Sequence, residues 1–301
     1  MSYIRKIKVS GKEYYVLSHN VRVGDKIEKI SKYIGKKLPP KEKLKELERK
    51  FEAELKALKE PEILSSSQKE TLDKIKSNYQ KHIKKLGKAD IDKLDEFIVT
   101  NFTYNTNAIE GSTLSLADVQ TIFKGEVPEG KDLRELYGAQ NMRKSYEYIK
   151  TLRNLSEKRV LELHKIAMQD ILSTEVGKYR SVRVYVGNHI PPGPSKLKKQ
   201  MKELFNWYKV AKKKLHPFEL ASILHVKFEN IHPFRDGNGR VGRLIMNYVL
   251  LSNGYPLLDI RFDRRAEYYR ALQKQKDEGF KPFVNYALDT YVKMARERHW
   301  L

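Results

Sequence analysis

Between His232 and Arg243 the chain reads His-Pro-Phe-Arg-Asp-Gly-Asn-Gly-Arg-Val-Gly-Arg. An imidazole titrates near neutrality and can take a proton from a hydroxyl, so His232 is a candidate general base. Asp236 offers a hard carboxylate oxygen of the kind that holds Mg2+, or alternatively Mn2+, on a polyphosphate. Gly237 and Gly239 bracket Asn238, and a backbone without Cβ atoms can turn sharply and aim its N–H groups at an anion. Arg240 and Arg243 stand three apart and are expected to project from one side of a helix, where they could clamp phosphate oxygens. Singly each residue has a plainer reading as a cap, a turn or a solvated pair. In this order they describe a site for handling phosphate.

The elements around the segment place it at a helix start. Pro217, Leu220, Leu224, Phe228 and Ile231 recur at helical spacing, and Pro233 ends that helix next to His232. Val241, Leu244, Ile245 and Tyr248 predict a second helix from near Arg240 to Asn253-Gly254, whose N-terminal dipole also favours negative charge. Upstream, Leu94, Phe97 and Ile98 form an apolar stripe leading to Thr106-Asn-Ala-Ile-Glu110-Gly111. That spacing puts Thr106 and Glu110 on one face, with Gly111 as the stop. Glu175-Val-Gly-Lys-Tyr-Arg180 leads to Val182, Val184 and Val186 and then to the turn residues 187–194, which predicts a β-hairpin. Ser115, Ser156 and Ser195 are expected N-caps of further helices. His164 and His225 lie among apolar neighbours within helices and are read as structural.

The stretch 232–243 resembles the Fic-family motif His-Pro-Phe-x-Asp/Glu-Gly-Asn-Gly-Arg-x-x-Arg. What the resemblance implies is a mainly α fold, a helical bundle with a β-hairpin flap, that transfers AMP from ATP to a protein Ser, Thr or Tyr hydroxyl with release of pyrophosphate. Under it His232 is the base and Asp236 holds the metal, while Phe234 anchors the loop in the core. Gly237, Asn238 and Gly239 cradle phosphates, Arg240 binds β/γ oxygens, and Arg243 meets the γ-phosphate. Thr106 to Gly111 is similar to the Ser/Thr-x-x-x-Glu-Gly/Asn pattern of the family's autoinhibitory helix, in which Glu110 would pair with Arg243. Val182, Val184 and Val186 would lie in the flap that pairs with a target's main chain. Tyr268 and Tyr269, in Arg264-Arg-Ala-Glu-Tyr-Tyr-Arg-Ala-Leu272, are candidates for the adenine pocket, one of the two being expected to face the core. Lys276 stands where relatives often carry Asn. Removal of AMP, with Glu110 aligning a water, is an alternative the same resemblance allows, as is a UTP or GTP donor.

With 301 residues and 40% hydrophobic content the chain can bury a sizeable core. Zero cysteines exclude disulfides, thiolate metal sites and a thiol nucleophile. The net charge of +22 raises a non-enzymatic alternative, a basic nucleic-acid-binding regulator with a nucleotide-sensing core. Interleaving such as Lys41-Glu-Lys-Leu-Lys-Glu-Leu-Glu48 favours a solvated helical surface instead. Tyr3, Ile7, Val9, Tyr14 to Leu17 and Val21-Arg-Val23 predict a small β-rich extension over 1–39. Helices near 41–59 and 67–86 are expected to form a helical hairpin over 40–88. A catalytic domain over 89–301 would follow, with its inhibitory helix at about 90–111. No leader pattern and no run of about eighteen apolar residues stands out, so a cytoplasmic location is expected and a membrane partner is not. Expected partners are a protein presenting a hydroxyl, the chain itself as a target of self-modification, and a second copy in a homodimer.

Overall fold

The computed structural model describes residues 2–301 apart from Gly24, Asp25, Glu60, Pro61, Ser173 and Asn188. Contacts divide the chain into two units, Met1–Pro61 with Phe205–Lys214, and Glu62–Leu204 with Leu215–Leu301. In the smaller unit three strands, β1 (Tyr3–Val9), β2 (Lys12–Val23) and β3 (Lys26–Gly35), form an antiparallel sheet in the order β1-β2-β3. Tyr3 faces Ser18 and Val9 faces Lys12 across the first pair, and a register shift between Tyr15 and Val16 interrupts the second. The alternation expected from Tyr3 to Val23 is thus a true sheet. Leu17 is buried with Phe51 and Leu55 of helix α1 (Lys41–Lys59), and Ile4, Ile30 and Ile34 pack around them.

The larger unit is helical: α2 (Ser66–Lys85), α3 (Lys88–Ile109), α4 (Leu116–Phe123), α5 (Leu133–Thr151), α6 (Glu157–Ala167), α7 (Pro194–Ala211), α8 (Pro217–Ile231), α9 (Asn238–Ser252), α10 (Arg265–Gln273), α11 (Gln275–Glu278) and α12 (Lys281–Glu297). The last turns of α7 belong to the smaller unit. Helices α1 and α2, expected as one helical hairpin, fall in different units: α1 gives its apolar face to the sheet, whereas Leu72 and Ile75 of α2 are buried in the larger unit. Helix starts follow their caps. Ser65 and Ser115 form capping boxes with Gln68 and Asp118, and Ser156 accepts from the Arg159 N–H. Ser195 is not a cap, because α7 begins one residue earlier at Pro194, whose missing N–H and fixed φ suit a first helical position.

Two central helices carry the motif between them. α8 is buried along nearly its whole length, from Phe218 to Phe228, and α9 from Asn238 to Leu250. Such helices take their place from packing rather than from an amphipathic surface, and so hold the loop 232–237 rigidly. No helix among the described residues is long and apolar enough to cross a membrane. Truncating Phe51 to Ala should cost roughly 3–5 kcal/mol, because it empties the centre of the sheet–α1 cluster. Urea unfolding followed by circular dichroism measures this, and an unchanged midpoint would show that the cluster does not hold the sheet.

Candidate active site

His232 ends α8 in a left-handed conformation, with φ 48° and ψ 61°, while its N–H donates to the Phe228 carbonyl at 2.9 Å. A non-glycine residue there is strained, and Pro233 blocks any return to helix. The strain is held by a set of contacts around the loop. Asn238 donates through Nδ2 to the Phe234 carbonyl at 2.8 Å and accepts from the Phe234 N–H at 2.9 Å, which staples the loop shut. Phe234 is fully buried and stacks on His164 with centroids 3.7 Å apart. His164 accepts the Gly177 N–H at Nδ1, 2.9 Å away, so its Nε2 carries the proton and donates to the Asp236 carbonyl at 3.1 Å. Burial lowers His164 to about 4 and His225 to about 3, so both are neutral structural groups, as the sequence suggests.

The helix that follows opens toward an anion. Gly237 caps α9 with φ 79°, and the N–H groups of Asn238, Gly239 and Arg240 precede the first intrahelical bond, from Val241 to the Gly237 carbonyl. Asn238 contributes only its backbone to such a cradle, since its side chain is committed to Phe234 and is 2% exposed. The two arginines do not project together. Arg240 reaches Asp236 at 3.3 Å, near the loop, whereas Arg243 turns inward and is 1% exposed. The reason is a partner: Arg243 donates to Thr106 Oγ1 at 2.7 Å, the Thr106 carbonyl at 3.0 Å and Glu110 Oε1 at 2.8 Å. A Cβ placed on Gly239 would collide with that same Glu110 oxygen and stand 3.0 Å from Arg243 Nη1. The Glu110 carboxylate therefore sits over the first turn of α9, where the helix dipole and the open N–H groups favour an anion.

Burial lowers the His232 imidazole to about 4, leaving it neutral and able to accept a proton at ordinary pH. One turn back, burial pushes the Glu229 carboxyl up to about 8, and its Oε2 lies 3.8 Å from His232 Nδ1. Asp236 accepts from its neighbour Gly237 N–H at 2.6 Å and pairs with Arg240 and, at 3.5 Å, with Arg134 of α5. Among the described residues no cluster of three metal-ligating side chains exists. A single partly exposed carboxylate suits Mg2+ only when phosphate oxygens supply further ligands.

The hairpin expected over 182–194 differs in the structure. Among the described residues there is one bridge, Val186 to His189, and no paired strands around Val182 or Val184. Arg180 takes the acceptors that a ladder would use, donating to the carbonyls of Val182 at 2.8 Å and Pro192 at 2.6 Å. Pro191, Pro192 and Pro194 have no N–H to pair. The same guanidinium donates to the His232 carbonyl at 2.8 Å, so one buried side chain ties the extended segment to the loop 232–237. Sequence reasoning missed Arg180 and Arg134; the first could be suspected from its place just before the valine run, the second left no local pattern.

Tyr268 is enclosed, 1% exposed, with its hydroxyl beside His225 Nε2 at 2.9 Å and Arg243 at 3.4 Å. It cannot meet an adenine, because the ring is consumed in packing Arg243. Tyr269 is 40% exposed, and its hydroxyl donates to the Ile109 carbonyl at 3.3 Å, at the end of α3. Lys276 lies on α11.

Fold and site together define a helical protein with an anion seat at one helix N-terminus and a neutral imidazole at its edge. Residues 154–250 match the Fic/DOC family model. The protein adenylyltransferase Fic of Nematostella vectensis is 37% identical over 191 residues, covering 61% of this chain and 44% of that protein. Its namesake in Culex quinquefasciatus is 36% identical over 193 residues, covering 62% of this chain and 39% of that one. The chain thus spans less than half the length of these curated relatives. A Fic domain containing signaling protein from Bacteroides thetaiotaomicron superposes with a TM-score of 0.68 at 27% identity, covering 74% of this chain and 94% of that one. Fic-1 from C. elegans gives 0.67 at 26% identity over 77% and 71% of the two chains. Over its helical part the chain is thus similar to proteins of the Fic/DOC family.

Gly239→Ala should lower stability by about 1–3 kcal/mol through the clash with Glu110, and most of that loss should vanish in a Glu110→Gly background. A double-mutant cycle by thermal unfolding reads the coupling; additive losses would mean that the two positions do not share the seat.

Proposed function

We propose that this protein is an adenylyltransferase that moves AMP from ATP to a hydroxyl on a protein, and that Glu110 holds it in check. The observation that carries the reading is the Glu110 carboxylate seated over Gly239 and on Arg243, beside a neutral His232. That seat suits a terminal phosphate, and the names of the curated relatives favour AMP transfer over its reversal or a nucleic-acid-binding role.

In this scheme the unprotonated nitrogen of His232 takes the proton of the incoming hydroxyl, whose oxygen attacks the α-phosphorus. The bond from that phosphorus to the bridging oxygen breaks, and pyrophosphate departs with the electron pair. The N–H groups of Gly239 and Arg240 face the charge that develops, and the Arg240 guanidinium neutralises the departing oxygens. Asp236, released from Arg134 and Arg240, would hold Mg2+, which supplies further charge neutralisation when bound. Tyr269, at the open side, is the remaining candidate for the adenine. The exposed segment at Val182 and Val186 would receive the target backbone. A γ-phosphate can reach Arg243 only where Glu110 has left.

His232→Ala should lower AMP transfer by about 10²- to 10⁴-fold while ATP still binds. Labelled-ATP transfer and calorimetry check the two halves, and wild-type transfer would remove His232 from the base role. Glu110→Gly should raise the rate by about 5- to 150-fold, the span of typical coupling energies. Mass spectrometry of the protein and of added targets after incubation with ATP and Mg2+ reads the adduct; an unaltered yield rejects inhibition by Glu110. The base must be unprotonated, and its depressed value means that activity is lost only as pH falls through about 4. A rate profile that already breaks near 6.5 would contradict this protonation state.

A further inference from the structure

The inhibitory helix α3 has a second polar environment that the reaction does not use. A cavity of about 400 Å³ lies between α3, the loop from Asp259 to Arg264 and the end of α12. This is within the range of small-ligand sites, roughly 300–1,000 Å³. At its floor Asp259 is 6% exposed, and Oδ2 accepts from Asn105 Nδ2 at 2.8 Å. Its Oδ1 is buried and accepts no hydrogen bond among the described residues, and the buried Nη1 of Arg298, which also lines the cavity and attracts Asp259 by charge, donates none. A carboxylate oxygen needing a donor and a guanidinium nitrogen needing an acceptor thus occupy one cavity, an arrangement that is costly unless something completes it.

The rim adds charge and an apolar surface. Arg261 and Arg264 are already paired, with Asp263 at 2.9 Å and with Glu267 respectively. Lys293 is exposed at the mouth and makes no ion pair among the described residues. Phe97 of α3 is 54% exposed and lies 5.6 Å from the Arg298 guanidinium. A ligand that satisfies all of this carries a phosphate for Arg298 and Lys293, a hydroxyl to donate to Asp259, and a flat ring to lie on Phe97.

We propose that this cavity binds a nucleoside monophosphate, and that occupancy holds α3, and with it Glu110, over the phosphate seat. The link is one residue long. Asn105 is fastened to Asp259 and, through Oδ1, to the Phe262 N–H at 2.9 Å, while the next residue, Thr106, is fastened to Arg243 at 2.7 Å. The cavity exists in the conformation with Glu110 on Arg243, so a ligand that completes it stabilises that conformation against its release. The binding half stands by itself; the regulatory half rests on Glu110 being the inhibitor.

Calorimetric titration of the full chain with AMP tests the site. Lys293→Glu, at an exposed position, should weaken AMP by about tenfold or more. Tyr269→Ala, at the adenine candidate of the proposed catalytic site, should leave the affinity unchanged. No AMP binding, binding untouched by Lys293→Glu, or binding lost in Tyr269→Ala overturns the assignment. So does inorganic phosphate binding as tightly as AMP, since the nucleoside would then contribute nothing. In transfer assays AMP should slow the wild type and spare Glu110→Gly. If both are slowed alike the regulatory half fails, whereas a wild type and a Glu110→Gly variant both without transfer would instead indict the proposed activity.

Discussion

A guanidinium that is 1% exposed must have an anion, and at Arg243 everything else follows from which anion it has. Leaving a buried charge unpaired costs about 3–5 kcal/mol, so the site cannot stand open. Glu110 fills the requirement from α3, at 2.8 Å. A phosphate arriving at the start of α9 would fill it equally well, and the two cannot coexist, because the carboxylate already lies where a Cβ of Gly239 would collide. Under the proposed function, competition between two anions for one cation would follow from this packing without a moving domain.

The partners of that pair are unequal in a way that sets which one can leave. Arg243 is locked from several sides, by the hydroxyl and carbonyl of Thr106 and by the enclosed Tyr268. The Glu110 side chain is 27% exposed and follows directly on the last helical residue of α3. The cation is thus the fixed element and the carboxylate the replaceable one. The turn of α3 before Glu110, Asn105 to Ile109, is buried, so it is the Glu110 side chain and not the helix that can be displaced.

Much of this was legible in the sequence because chemistry and spacing coincide in one segment. The order His232 to Arg243 announces the loop, Pro233 and Gly237 mark its turns, and the four-residue step from Thr106 to Glu110 announces a shared face. What was not legible depended on distance in the chain. Arg180 reaches His232 from 52 residues away, and no periodicity betrays a side chain that consumes the carbonyls of its own segment. The valine alternation from 182 to 186 reads as a hairpin for the same reason: local pattern is blind to a guanidinium that has taken the ladder's acceptors. Tyr268 and Tyr269 could not be separated by residue type, and burial alone divides them. The sheet at the start of the chain was readable from alternation, but its pairing with α1 rather than with α2 rests on Phe51 meeting Leu17, a tertiary choice.

His232 combines two properties that oppose each other in an isolated peptide. Its left-handed backbone aims the side chain away from α8, which calls for exposure, while its lowered proton affinity calls for burial. The loop reconciles them by enclosing the ring from behind. Arg180 holds the His232 carbonyl, Phe234 is pinned by Asn238 and His164, and Glu229 lies under the imidazole. Each support is a buried group with a committed partner, so the strain at one backbone position is spread over a shell that also fixes the mouth of the phosphate seat. The imidazole and the open start of α9 are consequently not two features that happen to be near each other. One loop, only as long as the gap between α8 and α9, places both, and a substitution that relaxes it should disturb the two together.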